Sequence, residues 1–250
     1  MTLNNRVNLI TGAGRGIGLA AAKIFLRDGG RVFLSDVNLE QAKQELSEFG
    51  QDKVGFLEAD VTKEDQVEAM CQAALKHFGQ VDGAIINAGI LSSVKPWLET
   101  PVEHASVMLD VNVLGVWLTV KHAVKAMTAS PHKGQGGTLV FVASVASLYG
   151  EPGLSAYSAS KWAVRGLSLT AAQEFAPLGI RSNCVQPGAT DTKMFDQFGP
   201  ELKAAVTDTI PLKRMARPEE IAEVMSFLAS DKSSYMNGST VAVHGGQKPT

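Results

Sequence analysis

The chain has 250 residues, and 23 lysines and arginines against 25 acidic side chains leave a net charge of −2. No basic stripe breaks that balance, which excludes nucleic acid and anionic membrane as principal partners. An apolar fraction of 45% with 19% charged residues suits a globular chain with a large core, and no apolar run approaches the roughly eighteen residues that span a bilayer.

In chain order, the first strand reads "RVNLIT" (6–11) and runs straight into "TGAGRGIG" (11–18), which opens a helix. Further strands are "RVFLSD" (31–36), "KVGFLEAD" (53–60), "VDGAIINAG" (81–89), "GTLVFVAS" (137–144), "IRSNCVQPG" (180–188) and "TVAVHGG" (240–246). Most are continuous Val, Ile, Leu and Phe blocks, the pattern of strands buried on both faces. Helices start between them. "TKED" (62–65) and "TPVE" (100–103) read as capping sequences, the second with Thr100 as cap, Pro101 first in the helix and Glu103 three after the cap. "RPEEIAEVMSFLAS" (217–230) puts a proline and two glutamates in a first turn, where the helix dipole favours negative charge.

This alternation predicts right-handed βαβ units in an α/β, Rossmann-like, doubly wound fold. We expect a seven-stranded parallel sheet with helices on both faces and a single domain over 1–250. "SPHKGQGG" (130–137) is the most loop-like stretch and only joins a helix to a strand. Five scattered histidines and two distant cysteines, Cys71 and Cys184, offer no metal-ligand spacing. Together with the absence of a basic and apolar leader in "MTLNNRVNLITGAG", they predict a reduced, cytoplasmic setting.

The glycine-rich turn lies where a dinucleotide's pyrophosphate meets a helix N-terminus. Gly12 permits the tight turn, Gly16 lets backbone approach the phosphates, and Gly18 lets the helix pack on the sheet. Asp36 ends the second strand eighteen residues after Gly18. A carboxylate there accepts hydrogen bonds from ribose hydroxyls and repels a 2′-phosphate, which favours NAD. Arg15, beside the loop, is the feature that would instead attract a 2′-phosphate.

With "DV" (60–61), "NAG" (87–89), Asn112 in "LDVNVLGV", Ser144, "YSASK" (157–161) and "QPGATDT" (186–192), the chain resembles the classical short-chain dehydrogenase/reductase family over nearly its whole length. The resemblance implies a catalytic tetrad of Asn112, Ser144, Tyr157 and Lys161. It also implies a cofactor site drawn from Gly12, Arg15, Gly16, Ile17, Gly18, Asp36, Asn87, Ala88 and Gly89. Asp60 and Val61 would flank the adenine, Pro187 and Gly188 would pack along the nicotinamide, Thr190 would offer its N–H, and Thr192 would bond the carboxamide. Family members are commonly tetramers, and "VWLTVKHAVKAM" (116–127) with Trp162 could supply the interface.

Tyr157 and Lys161, four apart, share one helix face. An ammonium beside a phenol favours phenolate and lowers its pKa, which would make Tyr157 a usable acid/base with Lys161 also positioning the cofactor ribose. Ser144 ends a strand and can hold a substrate oxygen; its thirteen-residue spacing to Tyr157 selects it over Ser147. Asn112 sits in a helical run that its propensity disfavours, and the family role is to hold a water linking Lys161 to solvent. Substrate choice falls to 90–97, 145–153 and 190–202, which offer Leu91, Trp97, Leu148, Tyr149, Met194, Phe195 and Phe198, with a lid over about 190–215. The expected reaction is NAD-dependent interconversion of a secondary alcohol and a ketone on a small, largely apolar molecule. The alternatives are an NADP-dependent ketoreductase and, in another class, a non-catalytic dinucleotide sensor. A sugar-nucleotide epimerase would need a longer region after "QPG".

Overall fold

A computed structural model describes residues 3–91, 94–196 and 198–247. Buried apolar runs give seven strands, each preceded or followed by helix. In order they are β1 (Val7–Thr11), α1 (Gly16–Arg27), β2 (Arg31–Asp36), α2 (Glu40–Glu45), β3 (Val54–Glu58), α3 (Glu64–Phe78) and β4 (Gly83–Ile86). Then come α4 (Val102–Leu109), a π-turn (Asp110–Leu114), α5 (Gly115–Ala129), β5 (Thr138–Val142), α6 (Ser155–Glu174) and β6 (Arg181–Pro187). The chain continues through α7 (Lys193–Asp196), α8 (Gly199–Thr209), α9 (Pro218–Ala229) and β7 (Thr240–Val243).

All six strand pairings are parallel, in the order β3-β2-β1-β4-β5-β6-β7. This is the expected seven-stranded Rossmann-like sheet. Each face carries its own core. One joins α1, α2 and α9 to the sheet through Leu19, Phe25, Leu39, Met225 and Leu228. The other joins α3, α5 and α6 through Met70, Val116, Met127 and Val164. Each such side chain, fully buried, contributes about 1.5–3 kcal/mol.

The order reverses direction between β1 and β4, so the loops leaving their carboxyl ends part and open a crevice there. Two helix starts differ from expectation. Thr100 does not cap α4: Pro101 holds that position, and the Thr100 hydroxyl donates to the Lys95 and Pro96 carbonyls. Lys63, rather than Thr62, precedes α3, because the Asp60 carboxylate takes both the N–H and the hydroxyl of Thr62. The start of α9 is as read, with the Glu220 carboxylate accepting from the Arg217 N–H at 2.8 Å.

Helices α4 and α5 run together through the π-turn as 28 helical residues, long and apolar enough by length and composition to cross a membrane. That length was not visible as an apolar run, since charged and polar residues interrupt it. Slightly over half of its apolar stretch, 56%, is buried inside the fold, where α5 packs on α3 and β4. Lys121 on this helix also pairs with Glu64 of α3 at 2.6 Å.

Candidate active site

The crevice is built first from backbone. Gly12 and Gly16 both adopt positive φ, +64° and +57°, a region glycine occupies without steric cost. Gly18 needs its missing side chain for another reason: a Cβ there would sit 2.2 Å from the Gly12 carbonyl oxygen and 2.8 Å from Asn87 Nδ2. Asn87 closes the gap between the diverging strands, its Nδ2 donating to the carbonyls of Thr11 (3.1 Å) and Gly12 (2.9 Å). The Thr11 hydroxyl in turn accepts from the N–H groups of Asn87 and Ala88.

Asp36 is anchored across this turn. Its Oδ2 accepts from the Gly14 N–H at 2.9 Å, and Oδ1 from the Asn38 N–H at 3.3 Å. Gly14 has no room for a Cβ, which would meet the Asn38 carbonyl oxygen at 2.1 Å. Gly14 and Thr11 are thus structural members of the site that spacing rules pass over, because their partners come from other strands.

Two adjoining cavities follow the carboxyl edge of the sheet. One, of about 290 Å³, is lined by Gly12, Arg15, Gly16, Ile17, Asp36, Asp60, Val61, Asn87, Ala88, Gly89 and Lys193, among others. The second, of about 430 Å³, takes in Ser144, Tyr157, Lys161, Pro187, Gly188, Thr190, Thr192 and a mainly apolar wall. Ile17, Asn87, Gly89, Thr192 and Met194 line both, so the two form one cleft. Gly18 stays beneath it as a packing residue.

This cleft fits a dinucleotide. It pairs a glycine turn at the start of α1 with an anchored carboxylate, and the turn has no room for a Cβ on Gly12, which would strike Ala88 backbone at 2.7 Å. Gly12, Gly16 and Ile17 would hold the phosphates on the helix N-terminus, and Asp36 the adenosine ribose.

Tyr157 and Lys161 project from α6, with Lys161 Nζ 5.7 Å from the phenol ring centroid. Lys161 is 5% exposed, donates to the Val142 carbonyl at 3.0 Å, and is pushed down to about 8 by burial. Burial also raises Tyr157 above its ordinary value, and a hydrogen bond with the Ser144 hydroxyl only partly offsets this. The expected lowering of the phenol by its lysine neighbour is therefore not what the protein alone produces. Desolvation dominates the phenol's proton affinity here.

Ser144 Oγ accepts from the Ala146 N–H at 3.2 Å, so its own proton is the one that bonds the Tyr157 oxygen and stabilises the phenolate. Ser147 lies just behind. Its hydroxyl donates to the Ser144 carbonyl at 2.6 Å and accepts from Gln186 at 2.7 Å, so it braces the turn that carries Ser144.

Asn112 is fully buried in the π-turn, a widened turn often found at functional sites. Its Oδ1 accepts from the Ile90 N–H (2.8 Å), and its Nδ2 donates to the Ile90 carbonyl (2.9 Å) and to Ser160 (3.0 Å). Ser160 donates to the Tyr157 carbonyl, tying Asn112 to α6 through the interior of "YSASK". Gly89 lies between the two: a Cβ there would stand 3.2 Å from Asn112 Oδ1 and 3.3 Å from Lys161 Nζ.

Of the predicted pocket residues, the structure brings Leu91, Met194 and Phe195 to the cleft. Trp97, Leu148, Tyr149 and Phe198 do not line it. Trp97 sits in a short helical turn and is 77% exposed, and Phe198 packs edge-on against Phe195, ring centroids 5.6 Å apart. Pro152, Leu154, Ala205, Val206 and Thr209 supply wall that aromatic content did not point to. Ser92, Ser93 and Gln197, within the segments assigned to substrate choice, lie outside the described residues. The lysine and arginine cluster near the lid also divides. Arg214 pairs with Glu220 and Lys213 donates to the Asp208 carbonyl, while Lys193 lines the dinucleotide half.

Residues 12–248 match the family described as Enoyl-(Acyl carrier protein) reductase. A short-chain dehydrogenase/reductase of Armillaria gallica is 38% identical, covering 96% of this chain and 95% of that one. Cyclohexanol dehydrogenase of Acinetobacter sp. (strain SE19) is 36% identical, covering 97% and 94%. The crystal structure of levodione reductase superposes with a TM-score of 0.90 at 36% identity, covering 98% of each chain.

Proposed function

This chain belongs to the short-chain dehydrogenase/reductase family and is an oxidoreductase of that family; from that premise we propose that it interconverts a secondary alcohol and a ketone on a small, largely apolar molecule, using NAD and Tyr157 as general acid/base. The observation that carries the proposal is the single cleft, in which a dinucleotide-fitting half opens onto an apolar half at Ser144, Tyr157 and Lys161. The bound nicotinamide supplies or accepts the hydride.

The chain's own residues handle the oxygen and its proton. Ser144 turns its proton from the Tyr157 oxygen to the substrate oxygen and fixes the carbon above Pro187 and Gly188. Burial keeps Tyr157 protonated through neutral pH, so it is ready to give its proton to the nascent alkoxide. Lys161, cationic below about pH 8, stabilises the phenolate left behind and returns a proton to it. Asn112 Oδ1, one lone pair taken by Ile90, keeps a second acceptor site near Lys161 for a water that links the lysine to solvent.

Asp36 supports NAD, since its carboxylate lines the cavity where a 2′-phosphate would lie. Arg15 and Lys193 line the same half, and we assign them to the diphosphate. Residues 190–215, with α7 and α8, form the lid over the apolar half within a single-domain chain. The half-exposed Trp117 and Trp162, each under a cation from its own helix, are the faces assigned to a homotetramer acting in the cytoplasm; light scattering on the purified protein tests the assembly.

Purified protein, assayed with NAD and NADP against cyclic, aromatic and aliphatic alcohols and their ketones, should turn over in the nicotinamide absorbance. Tyr157→Phe should lower any turnover by about a thousandfold or more, the scale of an essential general acid. A Tyr157→Phe variant retaining most of its activity overturns the assignment. A ketoreductase of acyl-carrier substrates is the second reading, favoured by the acyl carrier protein that the matched family's description names beside an enoyl reduction and by the cationic pair; preference for NADPH and a thioester would select it.

A further inference from the structure

The apolar half of the cleft is walled by Leu91, Val145, Leu154, Met194, Phe195 and Val206, and one acid interrupts that hydrocarbon lining. Glu151 comes from the loop before α6, six residues ahead of Tyr157, and lines the same cavity as Ser144 and Tyr157. It is half-buried, and burial raises its carboxyl above the ordinary carboxylate value. Among the described residues it makes no ion pair. Its neighbour Tyr149 has a hydroxyl oxygen sealed from solvent with no hydrogen bond of good geometry, and the Glu151 carboxyl is the acceptor within its reach. Two polar groups that each lack a full set of partners thus sit together, Glu151 in the wall of an apolar cavity and Tyr149 behind it.

Desolvating a carboxyl without a cation is unfavourable unless a hydrogen-bond donor arrives to offset it. A loop glutamate with only a solvating role would face water instead. The cavity supplies the donor's route, because Glu151 and Tyr157 line the same space.

Resting on the alcohol/ketone reading above, we propose that Glu151, oriented by Tyr149, is a specificity-determining residue that accepts a hydrogen bond from a second hydroxyl on the substrate, away from the reacting carbon. The substrate class is then a small, largely apolar diol and its hydroxyketone, with a cyclic diol as the probe, rather than a simple monoalcohol or an anionic acid. A site built to bond a hydroxyl discriminates strongly against the analogue lacking it, because its own polar group is left unpaired.

The test is the ratio of kcat/KM for cyclohexane-1,4-diol over cyclohexanol, which cancels general damage to the enzyme. The native protein should favour the diol by about tenfold or more, the size of one buried hydrogen bond. Glu151→Leu should bring the ratio close to one, and Glu151→Gln, which keeps an acceptor oxygen, should retain most of it. An equal ratio in native protein and Glu151→Leu overturns the proposal. If no alcohol or ketone is turned over at all, the reaction assignment fails separately. Calorimetric binding of the same two alcohols to the NAD-loaded protein then decides Glu151: a diol preference lost in Glu151→Leu upholds it, and equal binding by both proteins rejects it.

Discussion

Replacing Lys161 by methionine should make the protein more stable at neutral pH while removing its activity. Lys161 is 5% exposed and held at about 8 against an ordinary value of 10.5. A lysine lowered on folding binds fewer protons folded than unfolded between those two values. Stability therefore rises with pH across the window, and below pH 8 the full cost of keeping a buried ammonium is present. The shift of about 2.5 units corresponds to about 3 kcal/mol at pH 7, and about 1 kcal/mol of it is left at pH 9.5. Methionine fills a similar volume without a charge but leaves the Val142 carbonyl without its 3.0 Å partner, a loss of about 1 kcal/mol. The net gain for Lys161→Met is then about 2 kcal/mol at pH 7, falling to near zero at pH 9.5. Urea unfolding of both proteins without dinucleotide, at one protein concentration and both pH values, measures this. If Lys161→Met is less stable than the native protein at pH 7, or its gain is the same at both pH values, the lysine is not carrying an uncompensated buried charge.

Three further outcomes follow from the same geometry. Asp36→Ala should weaken NAD binding by about tenfold to a hundredfold, the loss of one or two charge-assisted hydrogen bonds, and should improve NADP relative to NAD; titration of both dinucleotides checks it, and an unchanged preference refutes the ribose assignment. Gly18→Ala forces a Cβ to within 2.2 Å of the Gly12 carbonyl oxygen, so dinucleotide affinity and melting temperature should both fall, by about 1–3 kcal/mol in stability. Because burial raises Tyr157, the phenol must lose a proton it holds tightly before it can act as base. Alcohol oxidation should therefore climb through the alkaline range while ketone reduction is already high at neutral pH, and pH–rate profiles in both directions show whether the two diverge.

Much of this protein is legible in its residues. The buried Val, Ile and Leu runs and their alternation with helical stretches are local patterns, and they define the seven strands and the parallel sheet. The motif order from "TGAGRGIG" to "QPG" likewise marks the residues that line the cleft. Strand ends are read too long: "VDGAIINAG" yields only Gly83–Ile86 as strand. Asn87 leaves the ladder to bond Thr11 and Gly12, and nothing in its own neighbourhood announces partners seventy-five residues away.

Other features belong to the tertiary structure alone. The π-turn around Asn112 has no signature in a helical period, and it exists where the carboxamide can grip Ile90 and Ser160 together. Which side chains face the cleft was also undecided by composition, so Trp97 and Phe198 turn away while Glu151 turns in. The pairing of Tyr157 with Lys161 follows from a four-residue spacing, but the proton affinities of the two do not. Local sequence places the charges, whereas only the packed chain removes the water around them. At this site that desolvation raises the phenol and lowers the amine.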